Sequence, residues 1–465
     1  MSEPIARSGK GTPLHTKILI GLVVGAVVGL AVNLSVGPDH AFVATSNKYV
    51  AGPIGQIFLR LLFMVVMPLV FASISLGVAG LGDLRKVGRV GGKALGFFLF
   101  STVLSATLGI LLVLAVRPGS RIDPEVRTRL LQTYAADASS KVEAAEQSTF
   151  GVETVVNIVT RNPVKSAVDM DMLGVIFFGI MFGAALTLIA AARAKPMIAF
   201  LEALQDIVIK IVEMAMKLAP LGVFMLIYGV TSRFGLELLA PLARYVLVVI
   251  VGLVLHLSVT LSIIVRVVGG ISPLTFYGRI RSAMITAFST SSSAATLPTN
   301  IAVAEQNLGM PSKIAGFVLP LGNTMCMNGT SLYEGVTVIF LAQVFGVTLT
   351  VPQMIIVMAM SVITAVGAAG VPGGSLPLLV GILAMFGVPG EGIALILGID
   401  RILDMSRTTV NVTGDQVATL VVARSEGLWN KSMLPPVAGI GRRLDESPSW
   451  PTEDNKIGES ETVHR

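Results

Sequence analysis

Six polar residues near the C-terminal end have the types and spacing to bind a solute of mixed charge. Asp400, Asp404, Arg407, Thr408, Asn411 and Asp415 interrupt an otherwise apolar stretch, LILGIDRILDMSRTTVNVTGDQVATLVVA at 395–423. At about 100° per residue they fall within an arc of about 100° on a helix, forming one polar stripe about 22 Å long. A guanidinium matches a carboxylate bidentately, so Arg407 is a candidate receptor for an anionic group. Asp404, almost one turn earlier, could take a cationic group. A solute carrying both signs would satisfy both residues, and an ion pair of Arg407 with Asp404 or Asp400 is the alternative use of the same groups.

The elements that must position this stripe lie in a membrane. The chain has 465 residues, 53% hydrophobic and 13% charged, about half the charged share of a soluble protein. Runs at 18–36, 97–116 and 245–265 have the length that crosses a hydrocarbon core of about 30 Å as helix, and the alternation of an outer-membrane barrel is missing. Each stripe charge at bilayer depth then costs about 3 kcal/mol to insert, which calls for a use. The formal charge of +6 is scattered over loops with no basic patch among aromatics, so nucleic acid is not expected as a partner. The single cysteine, Cys326, excludes an internal disulfide and a Cys-rich metal site. No small-residue cleavage site follows the first apolar run, which reads as an uncleaved helix.

Basic residues in 1–17 and in GDLRKVGRVGGK at 82–93 predict a cytoplasmic N-terminus, with helices at about 52–80 and 93–116. The polar, mixed-charge segment 117–165 reads as an outer loop, and further helices are expected at 171–192, 198–231 and 236–266, with ARAK at 192–195 as an inner loop. Beyond Arg266, segments 272–308 and 350–388 are interrupted by STSSSAATLPTN at 289–300 and AVGAAGVPGGSLP at 365–377. Each half is too short to cross, so two re-entrant hairpins are predicted. A broken span at 312–345 carries GNTMCMNGTSLYEG, whose unwound carbonyls could meet a cation. Residues after about 430 read as a disordered tail, with Trp429 and Trp450 too late to belong to a core. His256, alone in an apolar helix, reads as a packed residue.

These motifs resemble the glutamate transporter family, the dicarboxylate/amino acid:cation symporters, over nearly the whole chain to about Glu426. The serine-rich first hairpin, M-x-G-T in the seventh helix, A-G-V-P-G in the second hairpin and D-x-x-R-T-x-x-N-V-x-G-D in the eighth helix occur in order. The resemblance implies an all-α integral membrane protein of about eight transmembrane helices plus two re-entrant hairpins, trimeric, working by an elevator movement in a bacterial inner membrane. Its implied organisation is N-terminal, mostly scaffold helices at 1–92, the third helix of a transport domain at 93–116 and outer loop with scaffold helices at 117–235. The transport core follows at 236–430 and a cytoplasmic tail at 431–465. By resemblance, Arg407 holds a side-chain carboxylate and Asp404 an amino group, with Thr408 and Asn411 beside the substrate. Ser292 and Ser293 would meet the α-carboxylate, Thr330 would lie near the side-chain carboxylate, and Val371, Pro372 and Gly373 would form the gating tip. Having both Asp404 and Arg407 favours aspartate or glutamate over a C4-dicarboxylate or a neutral amino acid.

Two departures bear on the coupling ion. The sodium-coupled pattern N-M-D-G-T stands here as Cys326, Met327, Asn328, Gly329 and Thr330, and a family tyrosine aligns with Phe98. A thiol and an uncharged amide are poor ligands for a hard cation. Gly322, Thr324, Asn411 and Asp415 keep the parts of one residual sodium site. Glu334 matches a glutamate assigned as proton carrier in animal members, and a desolvated carboxyl can carry a proton through one leg of a cycle. Sodium-independent, proton-coupled symport is therefore expected ahead of sodium coupling, with no cofactor beyond the coupling ion. The family arginine that pairs with the substrate aspartate is absent at Ser291 and at Met405, and Arg401, three residues before Asp404, is proposed to replace it; a snorkelling arginine is the alternative. An anion channel is the rival class, favoured less by two re-entrant gates around a stripe of both signs. An intramembrane enzyme is disfavoured because no His or Lys neighbours Ser289, Ser291, Ser292 and Ser293 in sequence.

Overall fold

Three local failures of helix propagation shape the C-terminal half. The computed structural model describes residues 14–436 except 121, 123, 124, 126, 129, 131–158, 170, 171, 369 and 371. The labels α1 to α14 follow chain order. In the N-terminal half, α1 (Leu14–Val36) is followed by a short turn, a six-residue helical segment Ala41–Ser46 and a π segment, Asn47–Ala51, that leads into α2 (Gly52–Phe63). Next come α3 (Val66–Val87), α4 (Arg89–Val116), α5 (Met172–Leu188) and α6 (Ala191–Phe234). Then α7 (Leu239–Leu255) continues through the π segment His256–Leu261 to Val267. Gly21, Gly25 and Gly29 recur every fourth residue on α1 and let it lie against the α6 backbone. A Cβ at Gly25 would stand 2.6 Å from the Phe224 carbonyl oxygen, the close approach that small residues permit between membrane helices.

The first failure lies between α8 (Pro273–Thr290) and α9 (Ser293–Gln306). Ser291 closes α8 in the left-handed region at φ 50, and Ser292 turns extended to cap α9, accepting from Ala295 N at 3.1 Å. The interruption expected at 289–300 is thus only two residues long, because the cap restarts the helix and Thr296 returns its hydroxyl to the Ser292 carbonyl at 2.7 Å. The second separates α10 (Ser312–Met325) from α11 (Asn328–Phe345), leaving Cys326 and Met327 outside helical geometry. The third is the longest. After α12 (Val351–Gly367), which starts with a Thr350–Gln353 capping box, the next helix is α13 (Leu376–Met385), and the described residues between them are non-helical.

The polar stripe occupies α14 (Ala394–Ser425), 32 residues long, or about 48 Å at 1.5 Å per residue. It packs against α4 and α6 to α11 and is buried over most of its circumference. A large apolar core joins α1 to α7 and α11 to α14, and a second joins the start of α4 with α8, α9, α10 and the last turns of α14. By length and composition alone, four helices among the described residues can cross a bilayer, namely 16–36, 41–79, 89–116 and 239–267. α14 is excluded from that group by its charges, although it is long enough.

The structure corrects three readings. Residues 192–195, expected as a loop, form the first turns of α6, since Ala and Arg propagate a helix well. Trp429 is buried, with Nε1 donating to the Leu308 carbonyl at 2.8 Å. Residues 431–436, assigned to a disordered tail, lie against the first hairpin, where Arg279 Nη2 donates to the Pro435 carbonyl at 2.8 Å. Trp450 and the rest of the tail lie outside the described residues. At the same end Arg89 and Lys93 of α4 grip Glu426 at 2.7 and 2.6 Å. These hydrogen bonds, Arg89 first, hold the Glu426 carboxyl well below the usual range, at about 2.

Candidate functional site

Helical spacing brings Asp400, Asp404 and Arg407 onto one buried face of α14, and the arginine answers both carboxylates. Its Nε donates to Asp404 Oδ1 at 3.0 Å and its Nη1 to Asp400 Oδ1 at 3.0 Å. Nη2 lies 2.8 Å from Asp404 Oδ1 but makes no directed hydrogen bond. The Tyr333 ring of α11 covers the guanidinium, 4.2 Å from its centroid, adding a cation–π contact. Asp404 Oδ2 accepts from Gly373 N at 3.0 Å and lies 3.5 Å from Arg401 Nη1. Two guanidinium groups and two carboxylates therefore balance inside the protein, and the ion pair weighed as the alternative use of Arg407 is the arrangement observed.

Both hairpin tips close over this cluster. Ser292 Oγ donates to the Gly370 carbonyl at 2.6 Å while accepting from Ala295 N, so one hydroxyl caps α9 and joins the tips. Ala294 N donates to the same carbonyl at 3.1 Å. Asn411, one turn beyond Arg407, accepts from Gly329 N at 2.7 Å and donates to Thr330 Oγ1 at 3.0 Å and Met327 Sδ at 3.1 Å. The break between α10 and α11 is thereby tied to α14. Ser293, Thr330, Asp404, Arg407, Thr408 and Asn411 of the predicted set line one cavity. At about 20 Å3 it has room for one water, so a larger solute requires the tips to part or Arg407 to turn.

Other predicted residues lie elsewhere. Ser292 is used in the cap and the tip contact, and Gly373 enters through its N–H on Asp404. Pro372 does not line the cavity, and Val371 lies outside the described residues. Ser291, Ala368, Gly370 and Ser375 line it without having been anticipated as binding residues. Ser291 carries a buried Oγ with no hydrogen-bond partner among the described residues, a use that the run of serines did not distinguish among its members. Asp400, named beforehand as an alternative partner of Arg407, pairs with it, whereas Tyr333 was missed. Asp400 was visible in the stripe, whereas Tyr333 is positioned by the break at Cys326 and Met327.

The region of the altered ion motif is closed by neutral hydrogen bonds. Asn328 Oδ1 accepts from Ser101 Oγ at 3.1 Å and Thr102 Oγ1 at 2.9 Å, and Ser105 Oγ donates to the Asn328 carbonyl at 2.8 Å. Among the proposed residual cation ligands, Asp415 is buried beside Gly322, and its Oδ1 has no hydrogen-bond partner among the described residues. Thr324 is exposed and donates its hydroxyl to the Leu321 carbonyl at 3.0 Å, and the Asn411 side chain is occupied at the α11 start. Among the described residues no three His, Cys, Asp or Glu side chains converge as a metal cluster. Glu334 stands outside the cavity, fully buried, 2.6 Å from Thr364 Oγ1 of α12.

Comparison with known proteins gives the family. The profile of the sodium:dicarboxylate symporter family matches residues 14–425. The chain belongs to that family. This symporter family is one of membrane transporters, and its match covers both hairpins and the whole stripe. A proton/sodium-glutamate symport protein of Geobacillus stearothermophilus is 36% identical over 380 residues, 82% of this chain and 88% of its own length. The proton/glutamate-aspartate symporter of Escherichia coli is 34% identical over 380 residues, covering 82% and 86%. Among relatives with another named substrate, a C4-dicarboxylate transport protein of Bacillus subtilis is 33% identical over 381 residues, covering 82% and 88%.

Proposed function

We propose that this chain is a secondary active symporter of aspartate or glutamate, sodium-independent and driven by protons. The observation that carries the reading is Arg407 and Asp404 side by side beneath two joined hairpin tips, one able to turn to a carboxylate and the other able to receive an ammonium. Nη2 of Arg407, undirected in this arrangement, is the donor that a substrate carboxylate would use. Displacing Arg407 from Asp404 frees the aspartate for the amino group, with Arg401 retained as its second partner. A solute lacking the amino group would leave Asp404 short of a cation, which disfavours C4-dicarboxylates. Ser291, Ser293, Thr330, Thr408 and Asn411 supply the remaining polar walls.

Proton coupling is supported by two features. Asn328 satisfies its oxygen with hydroxyls and needs no counter-ion, and Glu334 is a carboxyl without a cationic partner among the described residues. Asp415, with an unpaired buried oxygen, favours the second reading, a sodium-coupled symporter with one residual site. No feature of the described residues favours a continuous anion pore. We assign the protein to a bacterial inner membrane as a homotrimer with a lipid-facing surface, eight spans and two hairpins. In this reading 93–116 and 236–430 form a moving transport domain that carries the closed site past a scaffold.

The deciding measurement is uptake of radiolabelled aspartate into proteoliposomes, comparing an inward proton gradient in sodium-free buffer with an inward sodium gradient at equal pH. Uptake on the proton gradient alone, lost in Glu334→Gln, is expected. Uptake on sodium alone would replace this reading with the Asp415 site.

A further inference from the structure

The Glu334 contact obeys a strict donor count. Thr364 Oγ1 lies 2.6 Å from Glu334 Oε2 and also 2.6 Å from the carbonyl oxygen of Met360, one turn earlier on α12. A threonine hydroxyl has one proton to give, and a main-chain carbonyl can only accept. Thr364 must donate to Met360 for that short contact to be a hydrogen bond. The other short contact is then a hydrogen bond only if Glu334 is its donor.

We infer that Thr364 is the positioning residue through which the closed second hairpin selects the protonated form of Glu334. In that form Glu334 Oε2–H donates to Thr364 Oγ1, and Thr364 donates to the Met360 carbonyl. When the proton leaves Glu334, the Thr364 hydroxyl has to rotate away from Met360 toward the carboxylate, and one of the two bonds is lost. The inference rests on Glu334 being the proton carrier of the proposed function. It adds the route by which the hairpin senses the proton: α12 ends at Gly367, one turn beyond Thr364 and three residues before Gly370, where the tips meet.

The surroundings leave Thr364 as the specific polar partner of Glu334. Among the described residues Glu334 Oε1 has no hydrogen-bond partner, nor does the hydroxyl of Ser361 on α12. Neither α12 over 351–367 nor α13 over 376–385 has a titratable side chain. On α4 the charged groups are Arg89 and Lys93 at its far end, held by Glu426. From α7 come Arg244 and Tyr245, whose hydroxyl pairs with Thr337 at 2.8 Å. On α14 the charged group facing this part of α11 is Arg407, committed to Asp400 and Asp404 and stacked on Tyr333.

The test is aspartate affinity as a function of pH for the full-length protein and for Thr364→Val, Thr364→Ser and Glu334→Gln. One proton taken up with substrate gives a dependence of up to about tenfold per pH unit. Glu334→Gln is expected to be flat, Thr364→Ser to keep the dependence, and Thr364→Val to bind with a dependence of about twofold per unit or less. If Glu334→Gln is flat and Thr364→Val titrates as the unmodified protein does, Thr364 has no such role. If Glu334→Gln itself keeps the full dependence, the proton-carrier reading fails and this inference with it. Infrared difference spectra give a second readout on protein that is only required to fold. The carboxylic C=O band missing in Glu334→Gln should appear at a hydrogen-bonded frequency in the unmodified protein and in Thr364→Ser. An unbonded frequency in the unmodified protein overturns the proposal even if Thr364→Val cannot be made.

Discussion

Two buried polar centres flank the start of α11 and solve the same problem differently. Around Arg407 the protein keeps full charges, two guanidinium groups against Asp400 and Asp404, and balances them internally. Around Asn328 it has no charge to balance, because an amide oxygen is met by two hydroxyls. Desolvating a charge is costly unless a partner is present, whereas desolvating an amide needs only hydrogen bonds. In the proposed reading the first centre exchanges an internal partner for a charged solute, whereas Asn328 itself gives a cation no charge to neutralise. The difference predicts that ion dependence follows the count of uncompensated carboxylates near the α11 start, with Asp415 the remaining one to test.

The largest effect should come from breaking the charged centre. Arg407→Ala leaves Asp404 with Arg401 and Asp400 with no cationic partner among the described residues, and removing one partner of a buried pair costs about 3–5 kcal/mol. Aspartate uptake in proteoliposomes should fall by about a hundredfold or more, since each factor of ten is about 1.4 kcal/mol. The melting temperature in detergent should fall as well. Retained uptake would mean that the arginine is only a structural counter-ion.

The charged centre was also the most legible part of the sequence. A stripe of six polar residues at helical spacing has one geometric solution, so α14 and its inward face follow from Asp400 through Asp415 alone. The hairpins were legible as interruptions but not in extent. Whether Ser293 to Asn300 continues as coil or restarts as helix depends on Ser292 capping Ala295, and a run of similar serines does not say which one caps. Contacts between elements were least legible. Tyr333 beneath Arg407, Thr364 on Glu334 and Trp429 on Leu308 each join residues distant in sequence or separated by a break, where periodicity carries no information. The ion motif lay between these cases: loss of charge at Asn328 could be read, but its capture by Ser101 and Thr102 required the packing of α4 on α11.

A smaller loss is expected from Arg401→Ala. Arg401 stands 3.5 Å from Asp404 Oδ2, an oxygen that also accepts from Gly373 N, so the carboxylate keeps one hydrogen bond on that side. The proposed second partner is worth about tenfold in aspartate affinity, or about 1.4 kcal/mol. Unaltered affinity with unaltered stability would leave Arg401 as a snorkelling cation and reduce the charged centre to three members.

The smallest effect tests the neutral centre by giving it a charge. Asn328→Asp keeps the shape and the donors Ser101 and Thr102 but adds a carboxylate beside Cys326 and within reach of the helix start that Asn411 also engages. Unpaired, that charge destabilises the fold; paired with sodium it is relieved, because an ion that binds only the folded state stabilises it by mass action. Thermal melting in detergent should give equal midpoints in sodium and choline chloride for the unmodified protein. The variant should melt a few degrees higher in sodium, about 1 kcal/mol of stabilisation once sodium exceeds its dissociation constant several-fold. Equal midpoints for the variant would show that charge alone does not rebuild the site. The loss would then lie in the missing hydroxyl at Phe98 and in Thr324 facing outward, so geometry and not charge count would separate the two centres.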